Sequence, residues 1–231
     1  DDVTDMREIT ATGIDWAVRG YLKITRIEKK GWFGSTTYTL TSLKSSSDLS
    51  EIERPLFDEF FAKGKEVALK DLDKVAMQKA VESYKKSLKS QLSKKDYYSE
   101  EGGLIEKGSL TDAGAKQWAK VEGFKMYLGV VEKDRLDFSD APEKTPERFN
   151  KLLPYAVALG VEKQWAKQFE GIDVTSASSN WYNGNLAAFS AVSLASDIGT
   201  SFASTVSSNS SYSSSGGSSG GGVGGGGGGS W

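Results

Sequence analysis

The sequence predicts a mainly α fold carrying one β-hairpin, an α+β class, followed by a disordered Ser/Gly-rich tail. Three observations carry this. Apolar residues recur at helical spacing in five stretches between the N-terminus and residue 160. Two runs near the start, YLKITRI (21–27) and TTYTLTSL (36–43), alternate apolar and polar residues instead. From Gly171 onward the composition shifts to Ser and Gly, closing on VGGGGGGSW.

The elements follow in order. Thr4 or Asp5 can cap a first helix whose one face carries Met6, Ile9, Gly13, Ile14 and Ala17/Val18, with Gly20 as its stop. The alternating runs then flank EKKGWFGS, a Gly-containing hairpin tip. Asp48 with Glu51 resembles a capping box for a helix to about residue 63, striped by Ile52, Leu56, Phe57, Phe60 and Phe61. Pro55 lies inside it and should kink it or delay its start. The next helix spans about 71–93, with Val75, Met77, Val81, Tyr84, Leu88 and Leu92 toward a core. Thr111 caps a long helix carrying Trp118, Val121, Phe124, Leu128 and Val131. Thr145 with Pro146 opens another, holding Phe149, Leu152, Leu153, Ala156 and Leu159 and stopping at Gly160. A short helix around Trp165 and Phe169 ends the expected fold.

These elements divide the chain into a module over 1–98, a connector over 99–110, a helical module over 111–171, and a low-complexity tail over 172–231. Helix, hairpin and helix in that order look like part of a winged-helix domain. Residues 181–206 keep sparse apolar residues, while 207–231 offer nothing to offset the entropy of ordering.

Composition excludes more than it assigns. The chain has no Cys and no His, which removes thiol nucleophiles, cysteine-ligated metals, the Ser-His-Asp triad and the commonest general base. A formal charge of −2 argues against a strongly basic nucleic-acid binder. The helix before the hairpin offers only Arg7 and Arg19 to a base edge, so nucleic acid is an unlikely partner. No run approaches the ~20 apolar residues of a membrane-spanning helix. Starting at Asp1 rather than Met, the chain reads as a piece of something longer. The carboxylates Glu132, Asp134, Asp137, Asp140 and Glu143 do not have the spacing of a calcium loop, and the tail glycines lack the strand, helix and Lys-Ser/Thr of a phosphate loop. No catalytic residue, metal ligand, cofactor or small-molecule substrate is inferred.

Three runs, ITATGIDWAVRGYLKI, LTDAGAKQWAKVEGFKMYL and FNKLLPYAVALGVEKQWAKQF, resemble in this order the C-terminal region of the bacterial YciQ-like predicted membrane proteins, a DUF2207-type family. The WY pair at Trp181–Tyr182 and the Gly-rich end match as well. The resemblance implies a membrane-anchored parent of unknown task, with a signal peptide, an extracytoplasmic domain and a transmembrane helix upstream. It also implies a transmembrane hairpin before the segment TDAGAKQW, where this chain has only SEEGGLIEKGSL. Either the homologue lost that hairpin or a short linker replaces it.

Candidate contact residues fall in three places. Lys85, Lys86, Lys89, Lys94 and Lys95 gather before the connector. They are either a solvated helix end favoured by the helix dipole or a basic strip beside a membrane, on its cytoplasmic side by the positive-inside rule. Lys29, Lys30, Trp32 and Phe33 place aromatic rings and charge at the hairpin tip, toward a membrane interface or folded back on a helix. Trp231 ends the tail as a lone indole on a tether. The expected role is non-catalytic, an interaction or scaffold module with an unknown protein partner and a membrane surface nearby. Lipid-surface binding and winged-helix nucleic-acid binding stand as alternatives.

Overall fold

The structure is a computed structural model that describes residues 2–28, 36–98, 110–130 and 143–184. The first helix, α1 (Asp2–Val18), begins ahead of Thr4 and Asp5, which lie in its first turn rather than capping it. It ends where expected. Gly20 adopts φ +77°, its amide bonds to the Ala17 carbonyl at 2.9 Å, and Tyr21 N–H reaches back to the Trp16 carbonyl at 2.8 Å. That pair of bonds is a Schellman closure, which needs a left-handed residue and favours glycine.

The two alternating runs form β1 (Leu22–Glu28) and β2 (Thr36–Ser42), antiparallel and in register from Leu22↔Ser42 to Glu28↔Thr36. Leu22, Ile24, Tyr38 and Leu40 share the core face, and all four are buried. After Ser46–Asp48, a 3₁₀ turn capped by Ser45, comes α2 (Glu53–Phe60). The expected Asp48/Glu51 box is displaced by two residues: Ser50 and Glu53 make the reciprocal bonds, Ser50 N–H to Glu53 Oε2 at 3.2 Å and Glu53 N–H to Ser50 Oγ at 3.3 Å. Pro55 accounts for the later start, since its missing N–H is harmless only in the first turn.

Two strands were not anticipated. β3 (Glu66–Ala68) pairs antiparallel with β2, placing Val67 opposite Leu40. After α3 (Lys74–Lys94), α4 (Asp112–Gly129), α5 (Pro146–Ala158), α6 (Glu162–Lys167) and α7 (Thr175–Ser178), β4 (Tyr182–Asn183) runs parallel to β1 with Tyr182 beside Ile24. The sheet order is β3-β2-β1-β4. Neither strand has the length to show a period of two.

One core gathers the whole arrangement. Ile9, Ile14, Trp16 and Ala17 of α1 are buried, and α1 lies against α5, whose Phe149, Leu153, Ala156 and Val157 are buried too. Trp16 meets the rings of Phe57 and Phe60 edge-on, at centroid distances of 5.1 and 6.0 Å. The stretches over 1–98 and 111–171 therefore contribute to the same core. Residues 172–184, expected within the tail, take part in it as well, since Val174, Ser178, Trp181 and Tyr182 are buried. Ser178 is buried with its hydroxyl satisfied, Oγ lying 3.0 Å from Asn150 Oδ1 and 2.8 Å from the Val174 carbonyl.

Replacing Trp181 with Ala is expected to cost about 3–5 kcal/mol in urea unfolding, as for a large aromatic in a packed core. A residue in a solvated tail would change stability by less than about 0.5 kcal/mol.

Candidate functional site

Asp73 caps α3, accepting the amides of Val75 and Ala76 at 3.0 Å each. Its first half is anchored by buried Met77 and Val81, and Tyr84 reaches Thr12 of α1 with 3.3 Å between hydroxyls. The second half leaves the core. Leu88 is only half-buried and Leu92 is exposed, although helical spacing assigned both to the core; Val75 is exposed as well. Lys86, Lys89, Lys94 and Lys95 are exposed along this half, and Lys85 is half-buried.

The end of α3 is closed without glycine. Asp96 takes φ +56°, Asp96 N–H bonds to the Ser93 carbonyl at 2.9 Å, and Tyr97 N–H to the Leu92 carbonyl at 3.2 Å. This is a second Schellman closure, with an aspartate in the left-handed place that short polar side chains tolerate.

Here the chain meets itself. Thr111, the N-cap of α4, accepts Gly114 N–H at 3.0 Å on its hydroxyl, which in turn donates to the Asp96 carbonyl. Its own amide donates to the Tyr97 carbonyl at 3.2 Å, and Tyr98 bridges Leu110 in antiparallel fashion. Gly114 packs so closely that a Cβ there would sit 2.0 Å from the Tyr97 carbonyl oxygen. The end of α3 and the start of α4 are thus fastened side by side in a neck. Exposed lysines, the half-buried Tyr97 and Tyr98, exposed Leu110 and, two turns along α4, exposed Trp118 surround it. Trp118 shares the helical spacing of Val121 and Leu128 yet is exposed; helical period alone cannot tell a face turned to protein from one turned outward.

A second polar cluster joins α1 to α2. Trp16 Nε1 donates to Glu53 Oε1 at 3.0 Å, Ser50 Oγ to Glu53 Oε2 at 2.7 Å, and Arg19 pairs with both Glu53 and Asp15, the latter at 2.8 Å. Burial pushes Glu53 up, but the hydrogen bonds from Ser50 and Trp16 and the Arg19 charge outweigh it, leaving its carboxyl below the ordinary value. Asp15 ends above its ordinary value, because burial and the Glu53 charge exceed what Arg19 supplies. Oε1 of Glu53 ties α1 to α2 while Oε2 caps its own helix through Ser50, which makes this a structural latch.

Lys29, Lys30, Trp32, Phe33 and Trp231 lie outside the described residues, as do Glu132, Asp134, Asp137 and Asp140. Among the described residues there is no cluster of three or more acidic groups able to hold a metal ion. An open crevice of about 410 Å³ is lined by Glu147, Arg148, Lys151 and Leu152, all within two turns of α5, and no acid/base pair faces across it. At the neck, exposed lysines and half-buried tyrosines lie beside a backbone junction of fixed geometry.

The neck also lies where the comparison with known families divides. The model of the C-terminal domain of the DUF2207 predicted membrane proteins matches residues 1–109 and 104–169, two stretches that meet between α3 and α4. The chain belongs to this family. The family is one of predicted membrane proteins, although no helix among the described residues is long and apolar enough to cross a membrane. Neither a curated protein nor a solved structure matches the chain.

Gly114→Ala is expected to force the neck apart at a cost of about 1–3 kcal/mol, with the core intact. Hydrogen exchange checks this: the Thr111 and Gly114 amides should lose protection while those of β1 and β2 keep theirs.

The latch predicts a pH dependence. Because the folded Glu53 value is lowered, its stabilisation is complete above the unfolded value and is lost as pH falls through the folded one. Asp15, being raised, acts in the opposite sense: its contribution is present below the unfolded value and is lost as pH rises through the folded one. Glu53→Gln should therefore lower the Tm at neutral pH and shrink the acid-induced fall in Tm toward about pH 3.

Proposed function

We propose that this domain is the non-catalytic, membrane-apposed interaction portion of its parent, held on the cytoplasmic side with the α3–α4 neck toward the bilayer. The observation that carries this reading is the neck itself. Its exposed lysines project past the core at the junction of the two stretches matched by a predicted membrane protein family. Cytoplasmic segments beside a membrane are enriched in Lys and Arg, and the inner leaflet attracts them. A solvated helix end needs no Tyr97, Tyr98 and Trp118 beside it, whereas Trp and Tyr favour the headgroup level. Scaffolding of a protein partner takes place, on this reading, on the surfaces facing away from the neck.

The winged-helix likeness adds no nucleic-acid role. The helix before the hairpin turns Ile9, Ile14 and Trp16 into the core, and its Arg19 is engaged by Asp15 and Glu53. Among the described carboxylates, Glu53 is committed to the latch.

Vesicle flotation tests the reading. The chain should float with phosphatidylcholine vesicles containing phosphatidylserine, less so as salt rises, and not with phosphatidylcholine alone. Each juxtamembrane lysine contributes about 1 kcal/mol, so Lys94→Gln with Lys95→Gln should weaken binding about 30-fold. Equal binding to neutral vesicles, or no loss in the double variant, contradicts the role of the neck.

A further inference from the structure

The face of α4 turned away from the protein carries an apolar strip that neither the fold nor the latch uses. At 100° per residue, Ala115, Trp118, Ala119 and Met126 fall within an arc of about 100°. Trp118 and Met126 are 53% and 68% exposed, and Ala115 and Ala119 are exposed between them. Gly114, Val121, Leu128 and Phe124 follow on the adjoining side, about 40° to 120° round from Trp118; Gly114 and Leu128 are buried, and Phe124 packs against Tyr127 and Tyr155. The helix is therefore apolar on two faces, only one of which is buried among the described residues. Leu110, 42% exposed, lies at the neck itself, with its side chain against Gly114.

Building on the membrane-apposed reading, we infer that this outer strip of α4 is a shallow insertion surface for an anionic lipid bilayer, with Trp118 as its anchor at the headgroup level. Position and charge select this occupant. A rise of 1.5 Å per residue puts Trp118 only about 10 Å along α4 from Thr111. The lysines ending α3 are joined to that same residue through Asp96 and Tyr97. Electrostatic attraction and an apolar foothold thus occur at one end of the molecule, the pairing that holds helices at a membrane interface.

The pattern does not suit a helix-pairing seam. Alternating steps of three and four through Trp118 pass Thr111, Ala115, Glu122, Lys125 and Gly129, which offer no apolar knobs beyond Trp118 and Ala115. Glu122 is the acidic residue inside the arc and is half-buried, and Lys125 borders it.

The absence of native cysteine makes a direct test simple. Ala119→Cys and Met126→Cys, each labelled with an environment-sensitive fluorophore, report on the strip, and Lys151→Cys on exposed α5 serves as the control. With phosphatidylserine-containing vesicles, the probes at 119 and 126 should shift to the blue and be quenched by headgroup-proximal nitroxide lipid, while the control does not change. Trp118→Ala should lower vesicle affinity roughly tenfold in a chain of unchanged thermal stability.

If the chain floats with the vesicles but both probes stay in water, the insertion surface is refuted and the basic neck stands. If the chain does not float at all, both readings fall. A blue shift that follows protein concentration without vesicles assigns the strip to a second copy of the chain and overturns the proposal.

Discussion

The packing of α1 is the constraint on which the rest depends. This helix is covered on one side by the hairpin and by Phe57 and Phe60 of α2, and on another by α5. Trp16 shows why the arrangement holds. Its ring is almost fully buried among aromatic edges, a contact worth about 0.5–1.5 kcal/mol per pair beyond area, and its N–H is satisfied by Glu53. Without α1, the sheet would lose the cover over Leu22, Ile24 and Leu40, and α5 would lose its partner. Residues nearly 150 positions apart in sequence are thereby fixed against one another, and β4 completes the closure beside β1.

A core so centred has a consequence for the parts beyond it. The C-terminal half of α3 and the N-terminal half of α4 contribute little to it, so nothing in the packing forces them to be polar or apolar. Their geometry is set locally instead, by the Asp96 closure, the Thr111 cap and the close approach of Gly114 to Tyr97. These devices bring two chain ends together at a defined distance, as an attachment point requires. The lysines and aromatic residues around that point stand outside the buried core, and the proposed membrane role rests on them.

Legibility from sequence followed the physics of each signal. Gly20 and Gly160 marked helix ends because a left-handed residue is usually glycine, and both take positive φ. The third closure, at Asp96, went unread because aspartate reaches the same conformation without announcing it. Thr111 and Thr145 were legible as caps because their hydroxyls stand three residues before the amides they accept, Gly114 and Arg148. The hairpin was legible from its alternation, but β3 and β4 were too short to alternate, and β4 lay in a segment whose Ser content resembled the tail. Apolar period misplaced Val75 and Leu92, because it reports that a face is apolar and not what covers it. Of the candidate site, the lysines were visible in the sequence, while the neck that fastens α3 to α4 brings Thr111 and Gly114 against the backbone of Asp96 and Tyr97, a tertiary pairing that neither segment signals alone.

The central claim is that the neck, and not the sheet or the α1–α5 core, is the surface that meets the membrane. Hydrogen exchange read by mass spectrometry, with and without phosphatidylserine-containing vesicles, tests it most directly. The account predicts added protection confined to residues 85–98 and 110–126, with α1, β1, β2 and α5 unchanged. Protection appearing on the hairpin or α5 instead, or no change at all in a chain that floats with the vesicles, would contradict it.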